Sequence, residues 1–400
     1  MSDPSIVPFF EFTRIKMVKQ TIHKENQSVL IQMEPDQRCH PLCHECGLPA
    51  QTVHSKGYRR FIRDLSIADT KVLLQVGYRK VWCEKCSGAK VEKLSFADAT
   101  KRITHRLAQS IYDLCKVMTV KDVAEYFDLN PKTVKAVDKH FLERDHGQTD
   151  YTGLRVLAMD EIAIRKGHNY MTVVLDYLTG RVVWMGEGRK KATLDIFFAG
   201  MTDEQKANIE AVAIDMWEPF INRIKHHCPD AKIVFDMFHV VQAFGKVIDK
   251  VRREEFNNAT AENQEIIKGS RYILLKNKKN LRENQRSELA ELLEANETLS
   301  KVYILKDQLK NIYHYKRGFD AKLAIDSWCE MAAEIDQPDM KRFIGRLRFF
   351  EEGILNHCKY PIGTSKLEGV NNKIKVIKRK AYGFHDNRYF ALKVIQAFSD

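Results

Sequence analysis

The sequence predicts a multidomain protein of the α/β class, and three observations carry that prediction. Two Cys-x-x-Cys pairs near the N-terminus flank segments in which apolar and polar residues alternate, as they do in β-strands. A helix-rich stretch with a capped turn follows these segments. Further along, short apolar strands are interspersed with amphipathic helices, which is typical of a mixed α/β domain. A chain of 400 residues has room for all three parts.

The overall composition indicates a globular protein with a polyanionic partner. Hydrophobic residues make up 44% of the chain, which is enough to bury large cores. The 65 Lys and Arg residues exceed the 53 Asp and Glu residues, and the resulting net charge of +12 favours nucleic acid as the partner. The chain shows neither a long uninterrupted apolar stretch nor a signal-peptide pattern at its N-terminus. We therefore expect a soluble intracellular protein that does not enter a membrane.

Four of the nine cysteines predict a structural zinc site. They are Cys43, Cys46, Cys83 and Cys86. Four thiolates on two such turns suit tetrahedral Zn²⁺. Residues 58–62 and 71–82 predict strands, and a hairpin between them would bring the two pairs together. A closed four-cysteine site folds a domain without catalysing a reaction, so we expect residues 1–95 to form a small zinc-binding β module.

Other side chains of this module leave two points open. Four of them are close enough in sequence to be rival ligands: Cys39, His40, His44 and His54. Six basic residues are candidates for DNA contact: Lys56, Arg59, Arg60, Arg63, Arg79 and Lys80.

A helix-turn-helix is predicted within residues 96–150. A helix after Thr119 is followed by Asn130, a strong N-cap residue, and by Pro131, which suits the first position of a new helix. The second helix would present four side chains to the major groove or the phosphates. These are Lys132, Thr133, Lys135 and Lys139. A helical hairpin that only joins two domains is the alternative interpretation.

Residues 151–400 are predicted to form an RNase H-like domain, because strands and helices follow one another in the order strand, strand, strand, helix, strand, helix, strand. The predicted strands are residues 156–164, 170–177, 181–186, 211–214 and 231–235, and the helices are residues 192–201 and 218–227. Residues 240–358 are largely helical in pattern. We expect them to form an all-helical insertion that covers the active site and binds nucleic acid or a second subunit.

Three acids in this domain are candidate ligands for hard cations. Asp160 lies in the middle of the first strand, Asp215 follows the fourth strand, and Glu368 opens a late helix. A sparse acidic site suits Mg²⁺, and two such ions can drive phosphodiester cleavage. Two structural alternatives stay open, because Asp160 could pair with a buried arginine and Asp215 could cap the following helix. Asp236 ends the fifth strand and competes with Asp215 for the same role.

The helix that carries Glu368 is predicted from residues 365–380. Its apolar stripe is Leu367, Val370, Ile374 and Ile377. The remaining surface is basic, and four cations on it would hold phosphates: Lys375, Lys378, Arg379 and Lys380. Ser365 followed by Glu368 also fits a capping box, and the basic run could be an ordinary solvated face.

Together these features resemble the ISL-three family of bacterial insertion-sequence transposases, which are DDE enzymes. The resemblance rests on the cysteine pairs, the helix-turn-helix, Asp160-Glu161 and three segments. The segments are residues 166–172, 233–241 and 365–384. The resemblance implies cleavage at the terminal inverted repeats of the element and transfer of the 3′ hydroxyl ends to target DNA. It places the catalytic triad on Asp160, Asp215 and Glu368, with Asp236 as the alternative second acid and His239 as a neighbouring site residue.

The resemblance also implies cofactors and partners. We expect Mg²⁺, or Mn²⁺ in its place, at the acids, and structural Zn²⁺ at the cysteines. Double-stranded DNA would be bound as element ends and as target, by a homodimer on paired ends in the bacterial cytoplasm, associated with the nucleoid. Two other functions stay open. One is a non-catalytic DNA-binding regulator derived from a transposase, and the other is a metal-dependent nuclease without strand transfer.

Overall fold

The computed structural model describes residue 10, residues 12–165 and residues 169–399. Residues 166–168, the first part of one predicted motif, therefore lie outside the described residues. The chain folds into two compact units, Met1–Arg144 and Asp145–Asp400. No helix among the described residues is both long enough and apolar enough to span a bilayer.

The first unit begins with a five-stranded sheet. Its strands are β1 (Ile15–His23), β2 (Ser28–Pro35), β3 (Thr52–Ile67), β4 (Thr70–Cys83) and β5 (Gly88–Val91). They are ordered β1-β2-β4-β3, with β5 paired to β4. The predicted hairpin is confirmed, since β3 and β4 pair antiparallel. Alternation places Val72, Leu74 and Val76 of β4 in one core with Ile31 and Ile62.

Three helices follow in the same unit and confirm the predicted helical pattern. They are α1 (His105–Val117), α2 (Val120–Phe127) and α3 (Pro131–His146). The Thr119 side chain caps α2 by accepting from the amide of Asp122. Asp128 then adopts a left-handed conformation with φ 51°, which turns the chain sharply. Asn130 Oδ1 accepts from the amide of Lys132 at 2.8 Å, so α3 begins with a side-chain cap, as its sequence indicates.

A buried carboxylate joins the sheet to these helices. Asp64 of β3 is fully buried and accepts hydrogen bonds from Thr104 Oγ1 at 2.6 Å and from Arg106 Nε at 2.8 Å. The backbone of the neighbouring Arg63 exchanges hydrogen bonds with Arg102 and Thr104. Burying a carboxylate is costly unless it is paired, and here two residues at the start of α1 satisfy it. The position of α1 on the sheet therefore depends on Asp64.

The second unit contains a mixed five-stranded sheet. Its strands are β6 (Val156–Arg165), β7 (Asn169–Asp176), β8 (Val182–Glu187), β9 (Ala211–Ile214) and β10 (Lys232–Phe235). They are ordered β10-β9-β6-β7-β8. The pairs β6–β7 and β7–β8 are antiparallel, whereas β6–β9 and β9–β10 are parallel. Three helices connect them: α4 (Lys191–Ala199), α5 (Asp203–Ala207) and α6 (Glu218–His227). The predicted order is confirmed, with the short α5 added.

Helices make up almost all of the remainder. They are α7 (Met237–Asn258), α8 (Ala261–Ile267), α9 (Arg271–Leu275), α10 (Glu283–Ala295), α11 (Glu297–Ile312), α12 (Gly318–Ala333), α13 (Pro338–Phe349), α14 (Glu351–Leu355), α15 (Thr364–Lys380) and α16 (Asn387–Ala397), with 3-10 turns at Lys278–Asn280 and Asn356–Cys358. One face of the sheet shares a continuous core with α7 and α12, through Phe244 and Trp328. The opposite face packs against α15 and α16. The sheet is therefore covered on both faces, and its functional groups are confined to an edge.

Replacing Asp64 by asparagine should destabilise the first unit. The variant replaces the charged partner of Arg106 by a neutral amide, in which an NH2 group takes the place of one buried acceptor oxygen. The expected cost is about 1–3 kcal/mol in the free energy of unfolding. Thermal unfolding or denaturant titration of the purified protein measures this loss. Asp98→Asn is the matched control, because Asp98 pairs with His105 in an exposed ion pair of little stabilising value. Equal stability of the two variants would contradict the role of Asp64.

Candidate active site and metal centre

The four predicted cysteines come together at one point of the first unit. Cys43 and Cys46 lie in the β2–β3 loop, Cys83 ends β4, and Cys86 lies in the turn before β5. Their sulfur atoms all lie within 4.8 Å of one another, with Cys43 Sγ 4.0 Å from Cys86 Sγ and Cys46 Sγ 3.6 Å from Cys83 Sγ. Sulfur atoms around a tetrahedral zinc ion with bonds of about 2.3 Å are separated by roughly 3.8 Å. The cluster is compatible with zinc.

The rival ligands are not part of this cluster. Among the described residues, the four cysteines are the group of three or more His, Cys, Asp and Glu side chains whose ligand atoms all lie within 4.8 Å of one another. His44 Nδ1 instead faces the carbonyl oxygen of Val91 at 3.0 Å. The spacing of the two Cys-x-x-Cys pairs is therefore the informative signal, and the nearby Cys39, His40 and His54 are not needed.

One of the basic residues predicted to contact DNA in this module is not available for it. Arg79 is buried and forms a two-pronged ion pair with the equally buried Glu92. The prediction for Arg79 was wrong because the sequence does not reveal that β5 brings a carboxylate to this position of β4. Arg63 is also engaged, since its Nη1 donates to the carbonyl oxygen of Val72 at 3.1 Å.

Three aspartates line up across the parallel strands of the second unit. Ala158 of β6 pairs with Ala213 of β9, so Asp160 and Asp215 are the corresponding residues two positions further along. Ile214 pairs with Phe235 of β10, so Asp236 is the counterpart of Asp215 on the next strand. Neighbouring strands lie about 4.8 Å apart. The register thus places Asp160, Asp215 and Asp236 in one row at the carboxyl edge, with Asp215 in the centre.

The carboxylates of this row repel one another and are partly shielded from solvent. Burial raises the pKa values of Asp215 and Asp236, and the charge of Asp160 raises both further. Burial also raises the pKa of Glu161 to about 7, and Asp215 and Asp160 add to that effect. Cations oppose these shifts only in part. A group of carboxylates with raised pKa values at a sheet edge is the donor set that a divalent cation would stabilise.

The hydrogen bonds distinguish the three aspartates. Asp160 Oδ2 accepts from Asn371 Nδ2 at 2.5 Å, and its Oδ1 accepts from the amide of Glu161 at 2.7 Å. The alternative interpretation, that Asp160 pairs with a buried arginine, was therefore wrong, because the amide side chain of Asn371 is its partner. Asp236 caps α7 by accepting from the amide of Phe238 at 2.9 Å. No hydrogen bond to the Asp215 carboxylate is found within the described part of the chain.

The interpretation of Asp215 as a helix cap was also wrong. Helix α6 begins at Glu218, and its N-cap position is occupied by Trp217 without a side-chain hydrogen bond. Three residues separate the end of β9 from the start of α6. Asp215 is thus left at the sheet edge, while the cap role falls on Asp236 one strand away.

Helix α15 carries Glu368 toward the same edge. Asn371, which bonds Asp160, lies one turn after Glu368 on the same face of the helix. The predicted apolar stripe is confirmed, since Val370 and Ile374 are buried in the core beneath the sheet, with Leu367 and Ile377 packed against them. The capping box was wrong, because α15 begins at Thr364 with Gly363 in the N-cap position. Glu368 is exposed within the second turn, free of a capping role.

The basic residues of α15 and α3 are largely where the sequence analysis expects them. Lys375, Arg379 and Lys380 are exposed on α15, whereas Lys378 Nζ donates to the carbonyl oxygen of Ala163 on β6 at 3.3 Å. On α3, Lys132 and Thr133 are exposed in the first turn, and Lys135 and Lys139 are half-buried. Their neighbour Val134 is buried in the helical core.

Two residues near the acids escape the sequence analysis. Asn371 could have been found from helix periodicity, because it follows Glu368 by three positions. Arg346 of α13 had no such signal. Its Nη2 donates to the carbonyl oxygen of Met216 at 3.1 Å, and its charge opposes the rise in the Asp215 pKa. His239, in the first turn of α7, acts in the same direction on Asp215 and Asp236.

Sequence comparison now defines the class of protein as a DNA transposase. Residues 157–394 match a family model described as a transposase, and residues 92–142 match the helix-turn-helix domain of transposase family ISL3. The first match alone includes more than half of the chain. The chain therefore belongs to the ISL3 family of insertion-sequence transposases, as its motifs predict.

Two relatives show how far this similarity extends. The chain is 42% identical over 360 residues to the transposase for insertion sequence element IS1001 of Bordetella parapertussis, a match that covers 89% of this chain and 88% of the relative. It is 27% identical over 366 residues to the transposase for insertion sequence element IS1557 of Mycobacterium tuberculosis, covering 86% of this chain and 82% of the relative. Both matches extend well beyond the domain that holds the acids.

Removing one cysteine of the cluster should release the metal. Wild-type protein is expected to contain about one zinc ion per chain, and Cys83→Ser should lose it, because three thiolates do not complete the tetrahedron. Metal analysis of the purified proteins measures the stoichiometry. Cys39→Ser is the matched control and should keep its zinc. Loss of zinc from the Cys39 variant, or its absence from the wild type, would contradict the assignment.

The half-buried Glu161 should make the metal-free protein less stable at alkaline pH. Its folded-state pKa of about 7 lies above the usual 4.5, so its contribution to stability is present below about pH 4.5 and is lost as the pH rises through about 7. Glu161→Gln removes this titration and should raise the Tm at pH 8 by roughly 2–4 °C while changing it little at pH 4.5. Thermal unfolding in a chelator tests this, with the exposed Glu204→Gln as the control. A pH-independent effect would contradict the prediction.

Proposed function

We propose that this chain binds the terminal inverted repeats of its insertion sequence, cleaves the DNA at the element ends and transfers the 3′ hydroxyl ends to target DNA. The carrying observation is the row of carboxylates at one sheet edge, with Glu368 one helical turn from the contact between Asn371 and Asp160. Membership of the transposase family supports the same reaction. The activity would take place in the bacterial cytoplasm, at the nucleoid, where the DNA is.

We propose an RNase H-like fold for the catalytic domain. The strand order β10-β9-β6-β7-β8, with three antiparallel strands followed by two parallel ones, supports it. The helices from α7 to α14 stand between the last strand and α15 and would be the insertion. In this arrangement the first and second acids come from adjacent strands, and the third comes from the helix after the insertion.

The donor set at the edge fits Mg²⁺ or Mn²⁺, because it consists of carboxylate oxygens whose mutual repulsion a cation would relieve. When bound there, two divalent ions would activate the attacking oxygen and stabilise the leaving oxygen. Asp160, Asp215 and Glu368 would hold them.

The surrounding residues give each acid a distinct role. Asn371 and the amide of Glu161 fix the orientation of Asp160. Asp215 is preferred over Asp236 as the second acid, because the Asp236 carboxylate already caps α7. His239 lies close enough to both to influence their pKa values, and it would contact the scissile phosphate.

DNA would be held by cations on both units. The exposed Lys132 and Thr133 begin the second helix of the helix-turn-helix, the position from which such helices contact base edges. Lys135 and Lys139 follow on the same helix, and Lys375, Lys378, Arg379 and Lys380 would hold phosphates beside the acids. A homodimer on paired ends would allow both ends to be cut in one complex.

Substitution of the acids should separate the triad from its neighbour. With a labelled duplex that carries the element end, Asp160→Asn, Asp215→Asn and Glu368→Gln should each slow metal-dependent cleavage by about 1,000-fold or more, because each removes a ligand charge. Asp236→Asn should keep most activity, since asparagine caps a helix as well as aspartate. An inactive Asp236→Asn beside an active Asp215→Asn would move the second ligand to Asp236.

The same assay distinguishes the alternative functions. Pre-cut ends incubated with target DNA should be joined by the transposase, whereas a nuclease would hydrolyse DNA without joining it. Binding of the ends without cleavage in either metal would indicate a regulator.

A further inference from the structure

Two large aromatic side chains are exposed beside the row of carboxylates. Trp217 follows Asp215 by two residues, and Phe238 follows Asp236 by two residues. Because Ile214 and Phe235 are register partners, the two aromatic residues leave the sheet at equivalent points of adjacent strands. Their exposed fractions are 42% for Trp217 and 54% for Phe238. Both rings are therefore presented at the edge that holds the acids.

The local fold does not require aromatic residues at these positions. Trp217 occupies the N-cap position of α6, where Ser, Thr, Asp or Asn would supply a hydrogen bond that tryptophan does not. Phe238 lies in the first turn of α7, whose cap is provided by Asp236. The backbone at both positions is nevertheless firmly held, since the amide of Trp217 donates to the carbonyl oxygen of Asp215 at 2.8 Å and the amide of Phe238 donates to Asp236. The backbone that carries the two rings is thus fixed at both positions, and the rings themselves are exposed.

A cation contacts the backbone of the residue that precedes Trp217. Arg346 reaches the sheet edge from α13, and its Nη2 donates to the carbonyl oxygen of Met216, the residue between Asp215 and Trp217. A guanidinium group has five donors, and this contact uses one of them. The side chain is exposed, so other donors can reach a phosphate. A flat apolar ring beside an anion-binding group is the combination that recognises a nucleotide.

We propose that Trp217, Phe238 and Arg346 form a subsite for one unpaired nucleotide at the DNA end that is being cut. The base stacks on the aromatic rings, and Arg346 binds the adjacent phosphate. This inference rests on the proposed function, because the nucleotide belongs to the same DNA whose phosphate meets the acids.

The chemistry of the site gives the subsite a purpose. The scissile phosphate must approach the carboxylates at the edge of the sheet. In an intact duplex, the stacked base pairs keep the DNA backbone on its regular helical course and so restrict that approach. Displacing one nucleotide costs its pairing and stacking, and contact with an aromatic side chain offsets that cost. Because any base can stack on an aromatic ring, the subsite would not select a particular base at this position of the element end.

Cleavage of two matched duplexes tests the proposal. One duplex carries a fully paired element end, and the other carries a mismatch at the nucleotide next to the cut. Trp217→Ala should slow single-turnover cleavage of the paired end about tenfold or more, and of the mismatched end by at most about threefold, because the mismatch has already removed much of the cost of unpairing. Phe238→Ala should show the same pattern, and Trp217→Phe should restore cleavage of the paired end.

The controls separate this inference from a structural role. Tyr272→Ala removes a ring that is 68% exposed on α9 and should cleave both duplexes at the wild-type rate. Equal slowing of both duplexes by Trp217→Ala, or no slowing of either, would overturn the subsite. If the wild type cleaves both duplexes, such a result concerns the subsite alone. If the wild type cleaves neither, the proposed function fails and the subsite fails with it.

Discussion

Mutual repulsion among carboxylates at one sheet edge is the constraint around which the second unit is built. The parallel register of β6, β9 and β10 makes Asp215 and Asp236, the residues that follow β9 and β10, the counterparts of Asp160. The three carboxylates therefore form one row. Desolvation and like charge raise the pKa values of Asp215 and Asp236 together. Such a row is tolerable only if other groups offset the charge. Arg346 and His239 each offset part of it at Asp215, and a divalent cation would offset the rest.

Helix α15 meets that need because its faces differ. Val370 and Ile374 anchor one face in the core below the sheet, which fixes the rotation of the helix about its axis. The opposite face then has no freedom in where it presents Asn371 and Glu368. Asn371 contributes an uncharged donor to Asp160, so it orients the carboxylate without neutralising it. The cations further along the helix stay beyond the acids, where a phosphate backbone would run.

The sequence was informative wherever the signal is local. Alternation at Val72 and Leu74 predicts a strand, and Asn130 followed by Pro131 predicts the start of a helix, because both depend on residues a few positions apart. The apolar stripe of α15 was predictable for the same reason. Such signals do not decide between Asp215 and Asp236, since both follow short apolar strands; the structure adds that the Asp236 side chain caps α7.

Long-range partners account for the failures. The sequence predicts a surface cation at Arg79, because its ion-pair partner Glu92 lies 13 residues away, directly after another strand. Arg346 reaches the acidic edge from a distant helix, and no spacing in the sequence predicts that. The presence or absence of such a long-range partner also distinguishes the acids from one another. Asp64 and Glu92 are buried and each is matched by an arginine, whereas Asp215 is half-buried and has no hydrogen-bonded partner for its carboxylate among the described residues. A half-buried carboxylate that no hydrogen bond satisfies is the kind of group that a bound cation would stabilise.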